Sequence, residues 1–182
     1  RLKLRHAKLI DFTGELGQFK QYSGFIPEVV TELRNKEKAE VAIIVDRAYC
    51  QGLGENVPYL VSDHLNLTGD NPLVGPNNPV GERFPVVNNI YLGAADTMDQ
   101  EETWAIGNPL GKFATGVAAG LKAGVVPGGE EIKFLRGLGA SLYCYNLVPA
   151  MLVAAHAGLK VIGIALPQGE SLSKDVLACL LR

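Results

Sequence analysis

Hydrophobic positions along the chain fall into short runs broken by glycine, proline and charge. Residues 41–45 form a continuous β-branched and alanine run, and residues 160–166 form another. Runs of this kind predict strands buried on both faces, not half-exposed ones. Shorter strands are predicted at 1–4, 8–12, 59–62 and 141–144, with a small, apolar strand at 115–126. Pro27 suits a first helical turn, and Val29, Val30 and Leu33 continue one apolar stripe through residue 35. A second helix is predicted over 130–137, where Ile132, Phe134 and Leu135 are apolar and Gly137 and Gly139 mark the end. An alanine-rich helix follows at 149–156, closed by Gly158. A last helix covers 171–182, with Ser171 or Ser173 as its cap.

Between these elements, residues 13–24 read as a loop and residues 36–40 as a charged connection. Residues 63–85 carry Gly69, Pro72, Gly75, Pro76, Pro79, Gly81 and Pro85, which leave no room for a regular element. A loop this long is expected to be ordered here, with Leu65, Leu67, Leu73 and Phe84 as anchors. Residues 86–100 carry a weak signal for a short strand or helical turn. Strands alternate with helices along much of the chain, which predicts an α/β fold with a largely parallel or mixed sheet.

Composition narrows the function classes. The 182 residues fit one domain, with 47% apolar residues and a net charge of −2. That balance gives no electrostatic footprint for nucleic acid or an anionic membrane surface. No apolar run reaches the ~18 residues of a membrane-spanning helix, and no signal-peptide pattern opens the chain. Cys50, Cys144 and Cys179 are few, widely spaced and odd in number, which predicts reduced thiols in a cytoplasmic protein. The acidic cluster Asp96, Asp99, Glu101 and Glu102 lacks the order of a calcium loop and reads as a solvated face. Ser62 and Ser141 lack a nucleophile elbow. No metal site is expected.

One segment is long and compositionally unusual: Ser62-Asp-His-Leu-Asn-Leu-Thr-Gly-Asp-Asn-Pro-Leu-Val-Gly-Pro-Asn77, followed by Glu82-Arg-Phe-Pro85. It resembles a signature of the trimeric purine nucleoside phosphorylases. Glu131-Ile-Lys-Phe-Leu-Arg-Gly-Leu-Gly-Ala140 and Val153-Ala-Ala-His-Ala-Gly-Leu-Lys-Val-Ile-Gly-Ile-Ala165 resemble later parts of that family in the same order. The resemblance implies a phosphorylase-like α/β fold, a central twisted mixed sheet flanked by helices, and a homotrimer or a place in a larger assembly. It implies a single domain over residues 1–182 that lacks the family's first strand and serine-bearing phosphate loop. It also implies an ancestral reaction in which phosphate, as co-substrate and with no cofactor, displaces the base of a purine nucleoside.

Carried over position by position, the resemblance implies a dismantled site. The family's phosphate arginine falls at Glu15 and its phosphate histidine at Gly17. Two like charges ~4 Å apart repel by roughly 4 kcal/mol at an effective dielectric of ~20. The sugar-contacting tyrosine falls at Phe19, and the phenylalanine lent between subunits at Val80. The purine-binding glutamate falls at Pro127, which has no side-chain acceptor. Tyr145 and Asn146 stand before the Val-Pro step, and the catalytic asparagine falls at Gly169. The family's glycine-rich turn reads here as Asp46-Arg47-Ala48-Tyr49-Cys50-Gln51-Gly52. Small residues let backbone amides approach a phosphate, whereas Tyr49 and Gln51 are bulky and Asp46 is acidic.

These positions imply a catalytically degenerate, phosphorylase-like structural or interaction subunit. The alternative is an active phosphorylase with a remodelled site, for which Arg47, Ala48, Tyr145 and Asn146 are the ligand contacts. His64 in a polar loop and His156 on the alanine-rich helix read as structural, and His6 as solvated.

Overall fold

The structure is a computed structural model that describes residues 7–16, 34–35, 38–93 and 113–181. The predicted first strand, most of the helix that begins at Pro27, the acidic cluster, His6, Gly17 and Phe19 lie outside the described residues. Six strands form one sheet: β1 (Ala7–Asp11), β2 (Val41–Ala48), β3 (Tyr59–Leu67), β4 (Ala114–Leu121), β5 (Ala140–Cys144) and β6 (Lys160–Pro167). Their spatial order is β1-β2-β6-β3-β4-β5. β1, β2 and β6 run parallel, β3 pairs antiparallel with β6, and β4 and β5 continue parallel to β3. The sheet is therefore mixed, as the alternation of elements predicts.

The apolar runs are explained by what covers each face. Helix α1 spans Gly129–Gly137, α2 spans Leu147–His156 and α3 spans Lys174–Leu180. Ala42 and Ile44 of β2 join one cluster with Val148, Met151 and Ala154 of α2. Val41, Ile43 and Val45 join a second with Val176, Leu177 and Leu180 of α3. β6 divides the same way, with Val161 and Ala165 toward α2 and Ile162, Ile164 and Leu166 toward α3. Alternate residues of a strand point to opposite faces, so a strand covered on both needs apolar residues throughout. Every residue of α2 except Pro149 is buried. A helix hydrophobic all round is a core helix.

Several expected boundaries shift. β3 runs to Leu67, so Asp63 and His64 belong to a strand and not to a loop. Its pairing with β6 ends at Val61, and a register shift follows between Val61 and Asp63. Beyond that point the strand has only β4 beside it, and half-exposed polar residues no longer look like a strand. β4 ends at Leu121, not residue 126, because Gly124 turns the chain at φ +84. α2 starts at Leu147, ahead of Pro149, whose missing N–H costs nothing in a first turn. Ser173, not Ser171, caps α3, accepting from Val176 N–H at 3.3 Å. Phe84 is no anchor, since it is 84% exposed, whereas Leu73 packs against the α2-side core.

Close packing leaves little tolerance at Gly120 on β4, where a Cβ would meet the Val148 side chain at 2.7 Å. Gly120→Ala is expected to cost about 1–3 kcal/mol in urea unfolding. Val148→Ala in the same chain should recover part of that loss, a coupling that a double-mutant cycle measures directly.

Candidate functional site

In open α/β sheets ligands bind beyond the carboxyl ends of the parallel strands. Here the exits of β1, β2 and β6 lie side by side, and the exit of β5 reaches the same place. Tyr49, just past β2, makes an isolated antiparallel bridge with Tyr143 of β5, through two backbone hydrogen bonds of 3.0 Å.

Asp46 lies near the end of β2 and is 2% exposed. Strand alternation turns its side chain toward α2. One carboxylate oxygen accepts from the N–H groups of Asn146 and Leu147, at 2.7 and 2.9 Å. The other accepts from Arg47 N–H and the Asn146 side-chain amide, at 2.9 and 3.1 Å. Burial pushes its pKa up, and the four hydrogen bonds oppose that shift. The acid that sequence analysis set against a phosphate therefore caps a helix, where its charge meets unpaired N–H groups and the positive end of the helix dipole.

Arg47 points the other way along the strand. One guanidinium nitrogen donates to the carbonyls of Pro167 and Glu170, at 3.2 and 3.1 Å. Another forms an ion pair with Glu15. Glu15 is held on a loop that Asp11 organises. The buried Asp11 carboxylate accepts from Thr13 N–H at 2.8 Å, Thr13 Oγ1 at 2.6 Å and Leu16 N–H at 3.1 Å. Gly169 sits at φ +90 in the turn closed by Glu170 N–H donating to Pro167 O at 3.0 Å. That left-handed conformation suits glycine.

Three tyrosines form the opposite wall. Tyr49 and Tyr143 stack with centroids 4.9 Å apart and planes 14° apart, and Tyr145 tilts against Tyr49 at 5.4 Å and 55°. The Tyr145 hydroxyl donates to Val125 O at 2.7 Å, in the loop that carries Pro127. The same loop ends with Gly128 N–H donating to the Glu131 carboxylate at 2.7 Å, which opens α1. The turn after β2 is tied to α1 as well, with Arg136 Nε donating to Gly52 O at 2.8 Å.

The structure thus brings together Glu15, Arg47, Ala48, Tyr145, Asn146 and the turns holding Pro127 and Gly169. Each of the polar side chains Glu15, Arg47, Tyr145 and Asn146 has a partner within the chain, and Ala48 is buried. Val80 stands apart, packed against the α2-side core. Sequence reasoning missed the Asp46 cap, the Glu15–Arg47 pair and the tyrosine stack. An acid ending a buried strand was the one local signal for the first. The other two join residues remote in sequence.

Other reactive groups are muted. Burial pushes the Cys50 thiol up to about 11 and the Cys144 thiol well above its ordinary range, so both are protonated near neutrality. His156 Nε2 lies 3.0 Å from Asn77 Oδ1, which ties the end of α2 to the loop after β3. His64 packs against Tyr91 with ring centroids 5.9 Å apart. Burial lowers its pKa, against the attraction of Asp63. Among the described residues no group of three or more His, Cys, Asp or Glu is placed to hold a metal ion. No described helix is long and apolar enough to cross a membrane.

With this geometry in place, the comparisons with known proteins agree on one family. The chain is 30% identical over 159 residues to purine nucleoside phosphorylase 1 of Bacillus subtilis, covering 82% of this chain and 56% of that protein. It is 30% identical over 159 residues to purine nucleoside phosphorylase of Bos taurus, covering 82% and 55%. Schistosoma purine nucleoside phosphorylase in complex with guanosine has the same fold, with TM-score 0.66 and 21% identity over 85% of this chain and 61% of that one. No family model matches the chain. It spans little more than half the length of these relatives, so its resemblance to the purine nucleoside phosphorylases is plain but divergent and partial.

Two measurements check the site. Asp46→Ala would leave the α2 N-terminus uncapped and is expected to destabilise the chain by about 3 kcal/mol in urea unfolding. His64 binds its proton less readily folded than unfolded. Its stabilising contribution is thus complete above the unfolded value of 6.5 and is lost as pH falls toward the lower folded value. Urea midpoints measured from pH 8 to pH 5 should fall more steeply for the natural chain than for His64→Asn.

Proposed function

We propose that this chain, a divergent and partial relative of the purine nucleoside phosphorylases, is a catalytically degenerate structural or interaction subunit. One observation carries the reading: Arg47, the cation at the exit of β2, is already satisfied by Glu15 and by two backbone carbonyls. Phosphorolysis needs cationic and hydrogen-bonding groups preorganised for an anionic nucleophile. Here a carboxylate of the same chain takes the cation, and Asp46 takes the amides at the start of α2. Pro127 and Gly169 offer no side-chain hydrogen bond to a leaving base. Losing one positioned electrostatic contact costs about 10²–10³ in rate, and members of one site fail together.

The retained scaffold favours a role in assembly. The segment from Ser62 to Pro85 keeps the family's sequence while the site does not, and its partner is a second copy of the chain or a related subunit in the cytoplasm.

The purified chain, given inosine or guanosine with phosphate, is expected to release no base above the uncatalysed rate. Phosphate-dependent release that Arg47→Ala abolishes would instead establish an active phosphorylase with a remodelled site, and the degenerate reading would be wrong.

A further inference from the structure

The loop after β3 has an internal architecture that the proposed role leaves unexplained. Side-chain ties nest inside it. Arg83 donates to Gly75 O, and within that ring the Asn77 side-chain amide donates to Gly81 O at 3.0 Å. Asn78 shapes the tip. Its side-chain oxygen accepts from Val80 N–H at 3.0 Å, and its carbonyl accepts from Gly81 N–H at 3.3 Å. Residues 75–83 are thus a compact turn with its ends drawn together.

This turn meets the body of the protein at the carboxyl end of α2. Because the Asn77 amide nitrogen faces Gly81 O, its Oδ1 faces His156. A carbonyl oxygen can only accept, so His156 Nε2 carries the proton and donates across 3.0 Å. Gly81 lies against His156 O, and Leu73 and Val80 pack, half-buried, on the α2-side core. On the same loop Val74, Phe84 and Val86 are exposed. This attachment is small beside the burial of β2 and β6, which is almost complete along both strands. Segments with few buried apolar contacts and exposed hydrogen bonds open at lower free energy than the core.

We infer that residues 68–86 form a flap that opens as one unit while the sheet stays folded, with the Asn77–His156 hydrogen bond as its clasp. The nested ties make the turn let go together and not residue by residue. Asn77 serves both the turn and the clasp, so losing its hold on His156 also loosens Gly81. Opening withdraws Leu73 and Val80 and bares the apolar seat they occupy at the carboxyl end of α2. This inference goes beyond the proposed role and does not depend on it, since the flap opens whether or not the chain turns over a nucleoside.

Native-state hydrogen exchange of the purified chain, followed by NMR in rising concentrations of urea, tests it. The amides of Leu73, Val74, Val80 and Gly81 are expected to exchange at one common level, at least about a hundredfold faster than those of Ile43, Ile44 and Ile162. Their rates should depend little on urea, because opening exposes little surface. His156→Ala removes the donor and should speed flap exchange by about fivefold to tenfold relative to the β2 amides. Asn77→Ala, at an exposed position outside the core, should do at least as much and leave β2 unchanged. In the Asn77→Ala chain, adding His156→Ala should have a smaller effect than it has in the natural chain, since the clasp is already gone. The inference is overturned if the flap amides exchange only together with β2, if they exchange independently of one another, or if Asn77→Ala leaves their rates unchanged.

Discussion

The fold around the site turns on one buried carboxylate. Asp46 ends the apolar run of β2 and is almost wholly removed from water, a position in which an unpaired charge costs several kcal/mol. It is tolerable because four donors converge on it, two of them the first amides of α2. The exit of β2 and the start of α2 are therefore fixed to each other by one side chain. Strand alternation does the rest. With Asp46 turned to the α2 face, Arg47 must emerge on the opposite side, beside the turn after β6 and the loop after β1.

That geometry decides what kind of site the exits form. A catalytic site keeps strong donors and charges partly unsatisfied until substrate arrives, which is costly to stability. On the proposed degenerate reading the opposite holds here. Arg47 pins the Pro167–Glu170 turn and is neutralised by Glu15, and Glu15 is placed by the Asp11 and Thr13 network. The turn after β2, which carries the bulky Tyr49 and Gln51, is held by Arg136 from α1 and by a close approach of Gly52 to Ile132. On that reading, groups that would serve a ligand serve the fold.

The strands with apolar residues on both faces were legible because their pattern depends only on burial. β2, β6 and α2 follow from that single rule. β3 was read too short, because its second half lies beyond its pairing with β6 and mixes polar residues with leucines. The family resemblance singled out Glu15, Pro127 and Gly169, but it did not show which segments they meet. Nothing at Asp46 alone says which way the carboxylate turns, and nothing at Tyr49 says that Tyr143 lies beneath it. Those facts depend on which distant segments meet, and the meeting is set by the sheet order.

The same meeting ties the loop after β3 to the core helix. α2 is anchored at both ends. Its first amides hold Asp46, and its last residue, His156, holds Asn77 of the loop after β3. At Gly81 that loop runs so close to the helix end that a Cβ would lie 1.7 Å from His156 O. Any side chain there would drive the loop off α2, so the spacing from Asn77 to Gly81 is constrained by packing alone. A core helix met at its carboxyl end by this loop needs the loop whether or not its amino end serves chemistry. The motif therefore answers a packing demand of α2 that is separate from the site at the other end of the helix.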